Sequence, residues 1–412
     1  MRSRVPRFSS KLFRRSFSVQ GFDGRTIALS GVDPSDPSRV VRYRNLFLRD
    51  ATPELVDVDS HQKNFSTGEL ATDIRALKAE ALDDKLKVEW SDGHKSTFEK
   101  GFLARYANNV QSRDYRSLNM NELKIWNMPE LKDIHNVSFK DYLESDSALL
   151  GALERLNQDG LIFINDIPRP KSDEDIPVET IARRVGYIQQ TFYGQSWNVV
   201  SVPHAKNVAY TSVYLPLHMD LLYYESPPGV QLLHVVDNST EGGESVFADS
   251  FAAAYHVLQN DPEAYDALTK VPLTFHYDHP TDHYYFQRPL IVEAAEGKIS
   301  HENGRHHIEV VNYSPPFQGP LDCLATDQGI SDKQMDAFMR GLKMFEAFIE
   351  DPKNQIEIHT PEGTCMVFLN RRALHGRRQF SAPSGKRFFK GTYLNVDTFY
   401  SRLRTLRSAS QS

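Results

Sequence analysis

The segment Leu217-His218-Met219-Asp220 is the most informative stretch of this 412-residue chain. Residues i and i+2 of a strand point to the same side, so a strand here would direct His218 and Asp220 toward one point. A second histidine, His375, lies 157 residues downstream, which leaves room for most of a β-barrel between them. Two imidazoles and one carboxylate are typical of non-haem iron sites that hold a co-substrate and O2 on one ion. Alone, the His-x-Asp pair is also explained by an ordinary strand end beside a surface carboxylate.

The bulk composition is ordinary for a soluble globular protein, with 40% hydrophobic and 25% charged residues. A net charge of −6 gives no support for a general nucleic-acid binder. No apolar run approaches the ~18–20 residues that a membrane span needs. The two cysteines, Cys323 and Cys365, argue for a reducing compartment and against a cysteine-rich zinc site.

Residues 1–22 differ from the rest of the chain because they are rich in arginine and serine and contain no acidic residue. This is the composition of a mitochondrial transit peptide, so the sequence predicts a protein of the mitochondrial matrix. The alternative is a basic disordered tail on a cytoplasmic protein.

The apolar patterning predicts a small β-rich domain over residues 23–104, a linker over 105–136 and a larger domain over 137–412. The predicted strands are Arg25–Leu29, Val40–Tyr43, Leu86–Trp90, Leu161–Ile164, Gly229–Val236, Cys365–Leu369 and Phe388–Leu394. The predicted helices are Leu149–Leu156, Val178–Thr191, Ser250–Leu268 with a break at Asp261-Pro262, and Asp332–Ile349. Many short strands with interspersed helices favour a jelly roll braced by helices.

Six motifs occur in a specific order along the larger domain. They are Phe192–Trp197, Asn207–Thr211, Leu217–Asp220, Pro227–His234, Leu374–Arg377 and Ser401–Arg404. With them, residues 137–406 resemble the γ-butyrobetaine hydroxylase branch of the TauD-like Fe(II)/2-oxoglutarate-dependent dioxygenases. The resemblance implies a mainly β fold with flanking helices, in which a double-stranded β-helix (jelly-roll) catalytic domain follows the small β-rich N-terminal domain. It further implies Fe(II) held by His218, Asp220 and His375, 2-oxoglutarate and O2 as co-substrates, ascorbate as reductant, and a homodimer.

The resemblance also implies a site for 2-oxoglutarate, whose far carboxylate needs a fixed cation. A bidentate guanidinium serves that geometry better than an ammonium, and Arg387 stands where the family places this arginine, 12 residues after His375. Leu232, Ser245 and Arg372 are further candidates for the same pocket. The alternative for Arg387 is a surface charge on the barrel.

A trimethylammonium group has no N–H to donate, so proteins hold it by cation–π contacts with aromatic rings. Four residues resemble the family's aromatic cage: Tyr193, Trp197, Tyr210 and Tyr393. If the first two lie on a helix, their i,i+4 spacing puts both rings on one face. Asn207 and Asn312 match residues at the carboxylate end of the substrate. The alternative is that the rings belong to the core or to the rim of the barrel.

Animal members of the family carry a zinc site of three cysteines and one histidine in the N-terminal domain. Here His94 stands near the position of that histidine, but no cysteine accompanies it. The sequence therefore predicts no zinc in this domain.

The sequence predicts an enzyme that hydroxylates a small quaternary ammonium carboxylate, with γ-butyrobetaine as substrate and L-carnitine as product. Trimethyllysine hydroxylation, or hydroxylation of another quaternary ammonium metabolite by a paralogue, is the alternative within the class. A catalytically silent betaine-binding protein is the alternative outside it.

Overall fold

The computed structural model describes residues 17–108, 112, 123–126, 134–172, 174–200, 212–293, 308–326 and 329–410. The chain forms two compact units, Met1–Met120 and Asn121–Ser412. The division falls within the segment 105–136 that the sequence predicts as a linker.

The first unit is built from two three-stranded antiparallel sheets. One sheet contains β1 (Ser18–Phe22), β2 (Thr26–Ser30) and β3 (Val40–Arg44), and the other contains β4 (Ala76–Leu82), β5 (Lys85–Trp90) and β6 (Lys95–Glu99). Two short helices follow the sheets, α1 (Asn45–Asp50) and α2 (Lys100–Arg105). β5 alternates buried and accessible residues, which is the pattern of a strand with one face on a core. Leu86, Val88 and Trp90 supply that buried face.

The boundary predicted for the N-terminal leader at residue 22 needs correction. Strand β1 pairs with β2 from Ser18 to Phe22, and Phe17 before it is only 4% exposed. A segment that supplies a strand and a buried ring is part of the folded unit. Residues 1–16, which contain all five arginines of the predicted leader, are outside the described residues.

A buried polar cluster surrounds His94 in the same unit. The Thr52 hydroxyl lies 2.9 Å from His94 Nε2 and 2.7 Å from Ser96 Oγ, and Trp90 donates its indole N–H to Ser96 at 2.8 Å. Thr52 also donates to the Glu54 carboxylate at 2.8 Å. His94 is thus held by hydrogen bonds, and burial lowers its pKa.

The strands of the second unit form two larger sheets and two ribbons. They are β7 (Asn136–Ser138), β8 (Leu161–Asn165), β9 (Ser196–Val200), β10 (Leu215–His218), β11 (Val230–Asn238), β12 (Ser245–Asp249), β13 (Pro272–His279), β14 (Asp282–Pro289), β15 (Ile291–Glu293), β16 (Ile308–Val311), β17 (Gln355–Ile358), β18 (Cys365–Leu369), β19 (Ala373–Arg377) and β20 (Arg387–Leu394). The larger sheet has the order β7-β8-β18-β11-β20-β9, and the smaller has the order β10-β19-β12-β17. Strands β13 and β14, and β15 and β16, form the ribbons.

The helices of the second unit flank these sheets. They are α3 (Phe139–Glu144), α4 (Asp146–Asp159), α5 (Pro177–Val185), α6 (Ser250–Asn260), α7 (Pro262–Lys270), α8 (Asp332–Glu350) and α9 (Val396–Ser410). The break predicted at Asp261-Pro262 separates α6 from α7, where the Asp261 side chain accepts from the backbone N–H of Ala264. No helix in the described part of the chain is both long and apolar enough to cross a membrane.

The helix predicted over Val178–Thr191 is too long, because α5 ends at Val185. Gly186 follows it, and a Cβ atom there would lie 2.4 Å from the Thr398 side chain. Beyond this close contact the chain extends, and Ile188 forms a bridge with Leu394 of β20. Packing of Gly186 against the C-terminal helix therefore sets the end of α5, which the apolar periodicity of the sequence did not predict.

The central strands of the smaller sheet, β12 and β19, are buried on both faces. On β12, Phe247 packs against Phe368 of β18 in the core between the two large sheets. Its neighbours Val246 and Ala248 point the other way, into a core shared with helices α6 to α8. Full burial of one such ring contributes roughly 1.5–3 kcal/mol. Two facing sheets, antiparallel except for the parallel pairing of β7 with β8, are covered by helices and form the double-stranded β-helix, so the predicted fold class is confirmed.

Candidate active site

Strand pairing brings the His-x-Asp segment and the distal histidine together. β10 and β19 are antiparallel neighbours, and His218 is the register partner of His375. Asp220 follows the end of β10, where its backbone N–H and C=O bond the Asn370 side chain at 2.9 and 3.0 Å. Leu221, the next residue, has a positive φ of 57°. The end of one strand is thus tied by an amide side chain to the turn before β19.

The three side chains converge. His218 Nε2 lies 3.3 Å from Asp220 Oδ1, His375 Nε2 lies 3.9 Å from the same oxygen, and one donor atom from each residue lies within 4.8 Å of the others. His218 Nδ1 is 2.8 Å from the Pro216 carbonyl, which can only accept a hydrogen bond from the N–H of that nitrogen. The lone pair of His218 therefore resides on Nε2, the atom that faces Asp220.

The electrostatics of the cluster favour the protonation states that bind a cation. Burial and, to a smaller extent, the adjacent His218 lower the pKa of His375 to about 3, so this imidazole is neutral at physiological pH. Burial raises the pKa of Asp220, but the His218 and His375 rings beside it and the hydrogen bond from the Tyr393 hydroxyl outweigh that effect and hold the pKa well below its usual range. Two imidazoles and one carboxylate that converge on one point are the donor set of a 2-His-1-carboxylate metal centre.

The triad opens into a cavity between the two large sheets. Trp197, Phe247 and Phe389 line its apolar walls, and Arg377 and Arg387 also face it. The cavity thus combines three metal-binding side chains, large aromatic walls and two guanidinium groups. A mostly apolar pocket with a few convergent polar groups is the usual form of a small-molecule site.

Arg387 is 8% exposed, yet within the described residues it forms no ion pair and its Nε has no hydrogen-bond partner. Its guanidinium lies 3.8 Å from the centre of the Phe389 ring. Burial lowers its pKa to about 9, and the nearby Arg377 lowers it too, so the group stays charged at neutral pH. A buried charge without a counter-ion is costly. This end of the cavity therefore suits an anionic ligand.

Ser245 lies beside these arginines, because it is the register partner of Arg377 in the pairing of β12 with β19, and it also lines the cavity. Arg377 donates to the Val213 carbonyl at 2.8 Å. Arg377 is the last residue of the motif Leu374–Arg377, but no role in the site was predicted for it from the sequence. The strand pattern could have indicated its position, because Arg377 is two residues after His375 on the same strand and so points to the same side.

The predicted aromatic cage is partly visible. The ring centres of Trp197 and Tyr393 are 4.2 Å apart, and those of Tyr193 and Trp197 are 5.8 Å apart. The helical spacing proposed for Tyr193 and Trp197 is wrong, since Trp197 belongs to strand β9 and Tyr193 lies in the turn before it. The rings still meet because Gly194, with φ of 93°, turns the chain between them. Asn207 and Tyr210 lie outside the described residues.

Three predicted contacts need correction. Leu232 is buried but does not line the cavity, because its strand neighbours Gln231 and Leu233 do and side chains alternate along β11. Asn312 is fully buried, and its amide is occupied: Nδ2 donates to the Pro289 carbonyl at 2.7 Å, and Oδ1 accepts from Arg371 at 2.7 Å.

Arg372 is the third. It is paired with Asp249 at 3.1 Å and donates to the Gln158 carbonyl at 2.7 Å. It is not among the residues that line the cavity. Strand alternation explains the difference, since Arg372 is an odd number of positions from His375 and precedes the strand.

Comparisons with known proteins agree with this site. The model of the family described as "Taurine catabolism dioxygenase TauD, TfdA family" matches residues 128–393. Dioxygenase str8 of Strobilurus tenacellus is 32% identical over 380 residues, covering 89% of this chain and 85% of that protein. γ-Butyrobetaine dioxygenase of a Pseudomonas species is 28% identical, covering 90% and 91%. The mitochondrial trimethyllysine dioxygenase of Rattus norvegicus is 24% identical, covering 90% and 84%.

The family model spans well over half of the chain, and the matched region contains both histidines, the aspartate and the two cavity arginines. The prediction of an oxygenase is thereby confirmed, whereas the branch within the family stays a proposal. The chain belongs to the TauD/TfdA family of dioxygenases.

Proposed function

We propose that this dioxygenase uses Fe(II) and 2-oxoglutarate to hydroxylate a quaternary ammonium carboxylate, with γ-butyrobetaine as the first candidate substrate and L-carnitine as its product. The observation that carries the proposal is the combination, in one cavity, of a two-histidine, one-aspartate cluster with a buried guanidinium that has no carboxylate partner among the described residues.

The triad fits an iron ion by its donor chemistry and by the spacing of two of its donor atoms. Two ligand atoms each about 2.1 Å from an ion lie roughly 3–3.5 Å apart, and His218 Nε2 and Asp220 Oδ1 are 3.3 Å apart. Three ligands on one side leave positions for a bidentate co-substrate and for O2. Iron bound there would couple oxidation of 2-oxoglutarate by O2 to hydroxylation, so that 2-oxoglutarate, O2 and R–H become succinate, CO2 and R–OH.

Arg387 supports the role of 2-oxoglutarate. This co-substrate is a dianion, and the two guanidiniums of the cavity exceed the single charge of Asp220. The planar fork of Arg387 can bind the far carboxylate through two parallel hydrogen bonds, and Ser245 lies close enough to the arginine pair to add a third donor. The protein thus orients the co-substrate from both ends and keeps water from the cavity between them.

The aromatic rings support a cationic substrate. Trp197, the best type of ring for a cation–π contact, lines the cavity together with the triad. Tyr193 lies beside it, and we include Tyr210 and Asn207 in the proposed substrate site on the resemblance alone. A trimethylammonium group seated on these rings would hold a neighbouring C–H bond toward the metal.

Trimethyllysine hydroxylation is the second candidate, because relatives of that name align with nearly the whole chain. Another quaternary ammonium metabolite is the third, because dioxygenase str8 shares more identity with this chain than γ-butyrobetaine dioxygenase does. The matrix location, the homodimer, the ascorbate requirement and the absence of zinc stay predictions.

The decisive experiment measures succinate formation with Fe(II), 2-oxoglutarate and each candidate substrate. We expect γ-butyrobetaine to stimulate turnover well above the substrate-free rate. The matched control is 5,5-dimethylhexanoate, in which a carbon replaces the quaternary nitrogen at equal shape, and we expect it to stimulate poorly. Stimulation by trimethyllysine alone would select the second candidate, and equal rates with both isosteres would reject a cationic substrate.

A further inference from the structure

Tyr393 contacts both the aromatic cluster and the proposed metal site. Its phenol donates a hydrogen bond to Asp220 Oδ2 at 2.6 Å, and its ring stacks on Trp197 at a centre-to-centre distance of 4.2 Å with an interplanar angle of 30°. The residue is 1% exposed. It was predicted as a wall of the cage for a cationic group, yet one face of its ring is covered by Trp197.

Because of this hydrogen bond, the two carboxylate oxygens of Asp220 have different surroundings. Oδ1 faces the Nε2 atoms of His218 and His375, at 3.3 and 3.9 Å. Oδ2 is turned to the phenol of Tyr393. A carboxylate with one oxygen engaged in this way presents a single oxygen to an ion. A bidentate carboxylate would instead occupy one of the positions that a co-substrate and O2 require.

The Tyr393 ring is held in place by the strands on either side of it. Tyr393 pairs with Gln231 on β11, and Trp197 pairs with Gly391, two residues earlier on β20. A Cβ atom at Gly391 would lie 2.5 Å from the Trp197 ring, so only glycine lets the indole lie flat against the sheet and reach Tyr393. The phenol is therefore aimed by packing that does not depend on a bound ligand.

We infer that Tyr393 is a positioning residue that fixes Asp220 as a monodentate metal ligand, rather than a wall of the substrate cage. The inference rests on the proposed metal role of the triad. Hydrogen-bond partners of metal ligands typically contribute 10- to 100-fold to metal affinity. The phenol supplies this contribution before any substrate arrives.

The test is the affinity of the full chain for Mn²⁺, measured by titration calorimetry without 2-oxoglutarate or substrate, together with the visible spectrum of the Co²⁺-loaded protein. In Tyr393→Phe the ring and its stack remain and only the hydroxyl is lost. We expect Mn²⁺ to bind 10- to 100-fold more weakly and the Co²⁺ spectrum to change, because Asp220 becomes free to rotate. A dissociation constant within twofold of that of the unaltered chain, with an unchanged Co²⁺ spectrum, would overturn the inference.

The matched control is Tyr265→Phe. Tyr265 is also buried, at 3% exposure, and its phenol donates to the Glu293 carboxylate at 3.0 Å, but neither residue lines the cavity. We expect similar losses of melting temperature in the two variants and a loss of metal affinity only in Tyr393→Phe. Equal losses of affinity in both variants would show a general effect on the fold and contradict the inference.

A double-mutant cycle tests whether the effect passes through Asp220. In the Asp220→Ala background, Tyr393→Phe should produce no further change in the residual Mn²⁺ affinity. A full additional loss would mean that Tyr393 acts by another route. Failure of the unaltered chain to bind any divalent metal would instead reject the proposed function itself, so the two failures are distinguishable.

Discussion

Arg372 and Arg387 are both buried, at 2% and 8% exposure, and the sequence suggests both as ligands of 2-oxoglutarate. Arg372 is paired with Asp249 and bonded to backbone carbonyls, so its charge is satisfied within the protein. Arg387 faces the cavity, lies over the ring of Phe389, and has no carboxylate partner among the described residues.

The difference separates an arginine that is satisfied within the fold from one that we propose to bind a ligand. Burying a charge is costly unless a counter-ion accompanies it. Where the protein supplies the counter-ion, as Asp249 does, the pair belongs to the fold. Where it supplies none, as at Arg387, the counter-ion is expected to come with a ligand. Stability and ligand binding should therefore respond in opposite ways at the two positions.

The largest expected effect is on the stability of the structural pair. Asp249→Ala leaves the Arg372 guanidinium buried without a counter-ion and removes an acceptor for the backbone N–H of Phe251. We expect the free energy of unfolding to fall by about 3–5 kcal/mol, measured by guanidinium unfolding. The double variant Asp249→Ala/Arg372→Leu should regain part of this loss. An unchanged free energy of unfolding in Asp249→Ala would contradict the structural role given to the Arg372–Asp249 pair.

At the cavity position, Arg387→Leu should act on ligand binding instead. Loss of one partner of a buried charge pair costs about 2–5 kcal/mol, so we expect 2-oxoglutarate to bind roughly 30- to 5000-fold more weakly. The melting temperature of the ligand-free protein should hold or rise, since an unpaired buried charge is removed. Arg387→Lys keeps the charge but loses the fork, and should bind with intermediate affinity. An unchanged affinity in Arg387→Leu would remove the arginine from the proposed site.

The aromatic side of the cavity should contribute less. Trp197→Ala removes a cation–π contact of about 0.5–2 kcal/mol, so we expect KM for a trimethylammonium substrate to rise roughly 2- to 30-fold. The affinity for 2-oxoglutarate should stay nearly unchanged, because Arg387 lies at another part of the cavity. Steady-state kinetics with both compounds checks this, and equal losses for both would contradict the cage assignment.

His234 differs from both arginines because burial favours its neutral form. Its expected effect, on the pH dependence of stability, is the smallest of these predictions. Burial lowers its pKa from 6.5 to about 4. The unfolded chain therefore binds the proton first, and the contribution to stability is complete above pH 6.5 and is lost as the pH falls toward 4.

Unfolding at two pH values measures this contribution. From pH 8 to pH 6 the free energy of unfolding should fall by about 1 kcal/mol through His234, and the variant His234→Leu should lack this part of the fall. Identical pH dependence in the two proteins would show that His234 is not buried as a neutral ring.

Much of the fold could be predicted because it depends on local patterns. The strand at Cys365–Leu369 and the helix at Asp332–Glu350 follow directly from continuous or periodic apolar residues. The helix predicted past Val185 was wrong, because the contact of Gly186 with Thr398 joins segments more than two hundred residues apart. Contacts of this range leave no trace in a local pattern.

The candidate site divides in the same way. The order and spacing of His218, Asp220 and His375 predict the cluster proposed to bind the metal, because ligand chemistry restricts the residue types and strand periodicity sets their direction. The sequence alone also determined the family and the jelly-roll class, and it named Arg387 as a candidate for the co-substrate pocket. Only the tertiary structure distinguished Arg387 from Arg372 and turned the phenol of Tyr393 toward Asp220. The physical reason is that counter-ions and hydrogen-bond partners come from distant strands, and only strand register decides which charges meet.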